Sequence, residues 1–358
     1  MAEVKKRQSM KDKQMKFSVF EMDRPALPEM KELVRSGFDY VSWGADNRFP
    51  NDLYDMYQNS AILQSIINGT ADYVFGGGII SAFDVVNDKY ETLEDIVKKC
   101  VFDYLIFGGF AVQLMYKGGK IEGMYWLDFQ KCRRSEDEKK VYYSDDWGKY
   151  AKKSLEYNSW TPDTTKGTCI FYYKGHKTRG IYPVPLYIGA LKSVKISTEI
   201  SNFHLNNITK GFASNAIISF NNGDTDEDTK AKLNKAIKEQ FCGTDNAGSF
   251  LLLFNDSKEN ACEIAKIQDD NYDKKYSDLT KAVKEDIFIA FRATPTLFGL
   301  PNENNGFSKQ EYIESFELYN KTMVMPIQKD FERAFKSMGI VIKFKTFKLE
   351  DTENKEIE

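Results

Sequence analysis

Apolar side chains along this chain recur mostly at helical spacing, with a band of denser apolar runs in the first half. Tyr54, Tyr57, Ile62, Ile66 and Tyr73 space out a helical stretch that Gly76, Gly77 and Gly78 should stop. A second helix is predicted over 92–107, opened by Thr92 with acids in its first turn and closed by Gly108 and Gly109. "GFAVQLMY" and "KIEGMYWLDF" then read as two strands joined by the turn "KGGK", and "KKVYYS" and "TCIFYY" as further strands.

The pattern changes at "YPVPLYIGALKSVKISTEISNFHLNNITKGF". Pro183 and Pro185 sit at the expected start and Gly211 at the expected end of a helix of about 25 residues, roughly 38 Å long. Leu191, Val194, Ile196, Ile200 and Phe203 give it an apolar stripe. Ser193, Ser197, Ser201, Asn202, Asn206 and Asn207 make much of the rest wet but uncharged. A compact β-α-β-β unit is expected over about 213–269, its helix carrying Leu233, Ile237 and Phe241 on one face. Another long helix follows, with Tyr272, Tyr276, Leu279, Val283, Ile287 and Ala290 as its stripe.

The segment "FRATPTLFGLPNENNGFSKQEY" interrupts the helices with a polar loop rich in Pro and Asn. Ser308 and Glu311 have the spacing of a capping box at the next helix start. Tyr312, Phe316, Tyr319, Met323, Ile327, Phe331 and Phe335 carry a stripe through that helix, and Pro326 in its middle should bend it near Met325. A strand, "IVIKFKTFKL", and an acidic tail end the sequence. Residues 1–45 are charged and weakly patterned, and read as an extended arm.

Composition narrows the function. The 358 residues are 42 % hydrophobic and 14 % aromatic, a globular balance. Net charge is −3, whereas proteins that grip duplex DNA through phosphates carry a basic excess. The basic N-terminus has no apolar core and is not read as a signal peptide, and no apolar run approaches the ~20 residues of a membrane span, so a soluble protein is expected. The five cysteines are scattered without CxxC spacing, which fits buried thiols rather than a zinc site or disulfide framework.

Catalytic signatures are thin. His176 and His204 stand 28 residues apart with no ligand partners at metal spacing, so no metal or cofactor is expected. "FGGGII" and "FGGFAV" lack the GxGxxG order and fit close backbone packing. Asp224, Asp226, Glu227 and Asp228 sit at a predicted helix start, where carboxylates suit the exposed amides; they serve equally as charged contacts for a basic partner.

The order of parts resembles the portal (connector) proteins of tailed bacteriophages over roughly residues 50–337. The most specific piece is "DIFIAFRATPTLFGLPNENNGFSKQEYIESFELYNKTMVMPIQKDFERAF": a helix ending in apolar-Ala-x-x-x-x-Pro-x-x-Leu-x-Gly, an Asn-rich loop, and an aromatic helix with an internal proline. "ITKGFASNAIISFNNGDTDEDTKAKLNKAIKEQF" is a second match. The resemblance implies an α+β, portal-like fold: an N-terminal arm (1–45), an α/β wing (46–183), antiparallel stem helices (184–212 and 270–292), a small β-α-β-β clip (213–269), a tunnel loop (293–307), a long kinked wing helix (308–339) and a reduced crown (340–358).

It further implies a ring, usually of twelve copies, at the capsid vertex of a virion assembled in the bacterial cytoplasm. Double-stranded DNA would pass through without sequence specificity, and no enzymatic activity would be present. Implied partners are the terminase large subunit, the major capsid protein and head-completion or adaptor proteins. Thr296, Asn302, Asn304, Asn305 and Lys309 become candidates for facing the channel; for the asparagines, turn formation competes with that role, and for Lys309 simple solvation does. Asp224, Asp226, Glu227 and Asp228 become candidate clip contacts, and Pro326 the helix kink. Another virion structural or scaffold protein, or an unrecognised nucleic-acid-modifying enzyme, are the alternatives.

Overall fold

The structure is a computed structural model that describes residues 27–35, 37–83, 86–147, 154–175, 178–209, 217–220, 232, 251–254, 272–300, 308–345 and 347. It divides into two compact units, one of residues 1–26 and 199–276, the other of residues 27–198 and 277–358.

In the larger unit, the segment read as an arm forms a hairpin, β1 (Glu32–Val34) with β2 (Val41–Trp43). Each strand is only three residues long and charges surround them, so alternation was too brief to register. Burial explains the hairpin. Trp43 is fully enclosed, stacked on Tyr182 at 4.5 Å, and the Tyr182 hydroxyl donates to the carbonyl of Val41. Arg133, also fully buried, lies over Trp43 and Trp147 at 5.8 and 5.0 Å and donates to Asn47 Oδ1 and Asn47 O at 2.6 Å each. Its charge is thus held by rings and carbonyl dipoles.

The helical stretch after it is two helices, α1 (Phe49–Asn59) and α2 (Ala61–Phe75). Ser60 makes the break: its extended backbone closes α1 through a bond to Met56 O, and its hydroxyl caps α2 by accepting from Leu63 N. A short strand, β3 (Ile79–Ser81), leads to α3 (Leu93–Phe107), where Thr92 and Asp95 form a reciprocal capping box.

Six strands follow: β4 (Gly109–Lys117), β5 (Lys120–Leu127), β6 (Cys132–Arg134), β7 (Lys140–Tyr143), β8 (Leu155–Ser159) and β9 (Gly167–Lys174). They make one mixed sheet in the order β5-β4-β9-β8-β7-β6, parallel only between β8 and β9. Gly118 and Gly119, both at positive φ, turn β4 into β5 as "KGGK" suggests.

The first long helix, α4 (Leu191–Thr209), has 19 residues rather than about 25. After the two prolines the chain makes tight turns instead, tied down by the buried Tyr187 hydroxyl donating to Ile106 O at 2.9 Å. Three further helices follow: α5 (Tyr272–Ala290), α6 (Lys309–Tyr319) and α7 (Met325–Ser337). Phe331 of α7 stacks on Phe110 of the sheet at 4.8 Å, and a last short strand, β12 (Ile342–Phe344), pairs with β3. Cys100, Cys132 and Cys169 are buried free thiols.

In the smaller unit, two four-residue strands, β10 (Ile217–Phe220) and β11 (Leu251–Phe254), run parallel. The Phe203 and Tyr276 rings, one from each long helix, stack at 5.0 Å. Leu233, Ile237 and Phe241 of the predicted helix, and the strand "CEIAKIQ", lie outside the described residues.

One carboxylate in the larger unit titrates unusually. Asp52, half-buried in α1 beside Asp46, has its pKa raised to about 6, chiefly by desolvation. Folded protein therefore retains a proton that unfolded chain has lost between about pH 4 and 6, and this site erodes stability as pH rises through that window. Asp52→Asn is expected to melt at a higher temperature than the parent at pH 7.5 and to match it near pH 4. Thermal melts across that range check this.

Candidate functional site: the loop after α5 and its aromatic seat

Helix α5 ends in a Schellman turn. Ala293 N–H bonds back to Phe288 O and Arg292 N–H to Ile289 O, both at 3.0 Å. Such turns place their pivotal residue in the left-handed region, normally glycine; here Arg292 occupies it at φ 52°. The choice costs about 1 kcal/mol relative to glycine. Thr294 is extended, as the residue before a proline should be, and Pro295–Phe298 form one 3-10 turn closed by Gly299 at φ 81°.

Three features of α2 hold that turn from beneath. Tyr73 donates to Leu297 O at 2.8 Å, with Tyr312 of α6 completing the contact at 3.0 Å. Gly69 leaves room for the Phe298 ring, since a Cβ there would stand 2.8 Å from it. Thr70 donates to Ile66 O at 2.6 Å, so the Tyr319 hydroxyl 2.7 Å away donates to Thr70. Phe298 sits among Tyr73, Phe288 and Tyr319 with ring centres 5.9 to 6.1 Å apart, and Phe347 covers Tyr73 and Phe316. Burial holds the Tyr73 and Tyr319 phenols far above their ordinary pKa, so both remain protonated donors at any physiological pH.

Both borders of the loop are joined. The Ser308 hydroxyl accepts Glu311 N–H at 3.4 Å, while the Glu311 carboxylate takes a 3.5 Å bond from Thr296 Oγ1. Thr296 is therefore an anchor and not a surface residue: it is 5 % exposed, which corrects its reading as channel-facing. Lys309 lies exposed in the first turn of α6. Asn302, Asn304 and Asn305 lie outside the described residues, as do Asp224, Asp226, Glu227 and Asp228.

Between α6 and α7 the helix widens into a π turn, Asn320–Val324, with Met325 N–H reaching back to Asn320 O. Pro326, exposed at the second position of α7, has no N–H to give and its ring would crowd the carbonyl four residues back; the wider turn places that misfit ahead of the proline. Next to it is a cavity of about 310 Å³, lined by Tyr104, Leu186, Arg292, Met323, Pro326 and Asp330 among others. Ser193, read on the wet face of α4, is buried and donates to Asp286 Oδ2 of α5 at 2.9 Å.

Among the described residues no cluster of three His, Cys, Asp or Glu side chains could hold a metal. His204 is exposed beside Phe203 and Tyr276, and His176 lies outside the described residues. What the described residues show is an anchored turn, Pro295–Phe298, seated on a cluster of aromatic rings. Gly69, Thr70 and Tyr73 were not legible as its support, because the contacts that give them that role lie more than 220 residues away in sequence.

A family model described as phage portal protein matches residues 82–356. The fold is similar to a chain in the virion of the native gene transfer agent particle, at 14 % identity over 82 % of each chain and a TM-score of 0.52. A chain from the neck of that particle, computed with C12 symmetry, gives 13 % identity, 84 % of this chain, 85 % of that one and a TM-score of 0.53. An HK97 family phage portal protein from Corynebacterium diphtheriae gives 14 % identity, 82 % of this chain, 94 % of that one and a TM-score of 0.46. No curated protein matches.

Tyr73→Phe removes the donor to Leu297 O without emptying the ring's site. It is expected to cost about 1–2 kcal/mol in denaturant unfolding and to speed proteolytic cleavage within 293–307. Unchanged stability and cleavage would remove Tyr73 from the seat.

Proposed function

The chain belongs to the phage portal protein family, and on that premise we propose that its copies close into a ring, probed first as a twelve-fold one, through which DNA enters and leaves a phage-like particle at its neck. The family match over more than half the chain carries this reading. The family is a structural one, and DNA transit asks for a conduit rather than a catalyst.

Within the ring, loop 293–307 narrows the channel, with Asn302, Asn304 and Asn305 at its tip and Lys309 at its border. A conduit must let phosphates slide in both directions, and strong ion pairing would hold them in place. Asparagine amides meet phosphate directly or through water without a fixed ionic bond, and the aromatic seat keeps the loop's base from yielding as DNA passes. Helices α4 and α5 serve as the stem, and residues 213–269 as the clip that docks the packaging motor and later the head-completion proteins, with Asp224, Asp226, Glu227 and Asp228 facing a basic partner. The wing, 46–183 with the 308–339 helix, faces the shell formed by the major capsid protein.

Unsatisfied surface supports assembly. Ile289 is 72 % exposed on α5 and Leu318 63 % exposed on α6, with Ile196, Leu279 and Met325 also uncovered. Long helices that bury one stripe and expose further apolar side chains are suited to neighbours in a ring.

Light scattering and electron microscopy of the purified chain are expected to find closed rings of about twelve subunits. Deleting 302–306 is expected to leave the rings intact while impairing DNA retention or passage in packaged particles. A compact monomer at high concentration overturns the ring, and normal DNA handling by the deletion variant overturns the loop's role.

A further inference from the structure

The six-stranded sheet has two unlike margins, and each carries an apolar patch that the subunit leaves uncovered. At the β5 margin, the segment ahead of α3 folds against the outer side of the strand: Met124 N–H bonds to Val86 O at 2.9 Å, and Asn87 Nδ2 donates to Met124 O at 3.0 Å. Asn87 Oδ1 accepts the N–H groups of Lys89 and Glu91, and Tyr125 donates to Asp88 at 2.7 Å. These bonds brace a turn whose tip is Tyr90. That side chain is 84 % exposed, on backbone at φ 61°. An aromatic in the left-handed region is strained where asparagine or glycine would rest easily. The turn therefore spends stability to hold a ring out in water. Beside it lies a shallow pocket of about 330 Å³, lined by Met115, Glu122 and Tyr125 among others.

At the other margin stands β6, with the β1–β2 hairpin fastened beside it by the Tyr182 hydroxyl, which accepts from Arg134 N and donates to Val41 O. Among the described residues β1 pairs only with β2. Val34 is 61 % and Phe38 51 % exposed, with Leu33 and Leu27 also uncovered, so the hairpin and the residues ahead of it carry four apolar side chains that the subunit does not bury. Both rims are of mixed charge, Arg35 standing among Glu29, Lys31, Glu32 and Asp39 on one and Lys89 between Asp88 and Glu91 on the other, so the contact rests on the apolar side chains.

We propose that these margins are the two halves of one contact between copies of this chain: the Tyr90 turn of one subunit seats on the Leu33–Phe38 hairpin of the next. The occupant is a second copy because a head-to-tail ring needs two different surfaces on opposite sides of the protomer, and the sheet supplies such a pair on one rigid layer. A rigid aromatic set on an apolar patch is the usual composition of an interface anchor. This inference rests on the ring proposed above and names the wing surfaces that close it.

The full-length chain tests it through two variants. Tyr90→Gly relieves the backbone, so the subunit's melting temperature should hold or rise, while the concentration at which rings half-dissociate rises about tenfold or more. The double variant Tyr90→Cys with Phe38→Cys should, on mild oxidation, give a ladder of disulfide-linked multimers on a non-reducing gel, with neither single variant doing so. Rings of normal stability in Tyr90→Gly, or no ladder from rings that do form, overturn this contact and leave the ring standing. Absence of rings in the unaltered chain overturns both.

Discussion

A single phenol fixes where the polar loop begins. Tyr73 reaches from the last turn of α2 to the carbonyl of Leu297, inside a nest of rings where water cannot compete for the bond. A donor with a carboxylate or ammonium would bring charge into that nest at several kcal/mol of desolvation; a phenol whose pKa burial pushes upward brings none. The ring cluster itself adds no formal charge beside a loop that, in the proposed channel, stands next to phosphates; the Glu311 carboxylate meets the turn at Thr296. Anchoring without added charge is thus met by one residue type.

Helix geometry bends around the seat. The Schellman turn at Arg292 and the π turn before Pro326 both depart from regular α-helix, and both line the same 310 Å³ cavity. Regular geometry at either place would re-aim the chain: the first sends it from α5 into the loop, and the second sets how α6, which carries the loop's far border, continues into α7 on the sheet. Phe331 and Phe335 of α7 lie against Phe110. The wider turn lets α7 keep those rings on the sheet while α6 keeps Tyr312 and Tyr319 on α2.

Local signals were legible in the sequence and remote ones were not. Thr92 with its following acids, the paired glycines of "KGGK" and the stripe through 312–335 act over one to three turns of chain, and each marks an element at its observed place. Pro183 and Pro185 misled because proline suits the first turn of a helix but equally the extended backbone before one; the buried Tyr187 decides for turns. The β1–β2 hairpin escaped because its strands are three residues long and owe their order to Trp43, Tyr182 and Arg133, two of them more than 85 positions downstream of the hairpin. At the site, the loop's position was readable from its prolines and glycine, and its support was not. Thr296 has the composition of a surface residue and the location of an anchor, which only the contact with Glu311 distinguishes.

Neutrality at the loop and adhesion at the margins are the same design constraint seen from two sides. A subunit of net charge −3 has no basic excess to draw DNA in, and screening removes most attraction between exposed charges beyond about 8–10 Å. Contact between copies then has to come from short-range burial of apolar side chains, which is where Tyr90, Val34, Phe38, Ile289 and Leu318 stand exposed. In the proposed channel the surfaces that meet DNA would follow the opposite rule: amide side chains offer hydrogen bonds that water can replace at little cost, so motion along them would meet no deep minimum. In the ring proposed above, hydrocarbon would join the copies and amides would meet the cargo, which separates the two tasks by chemistry.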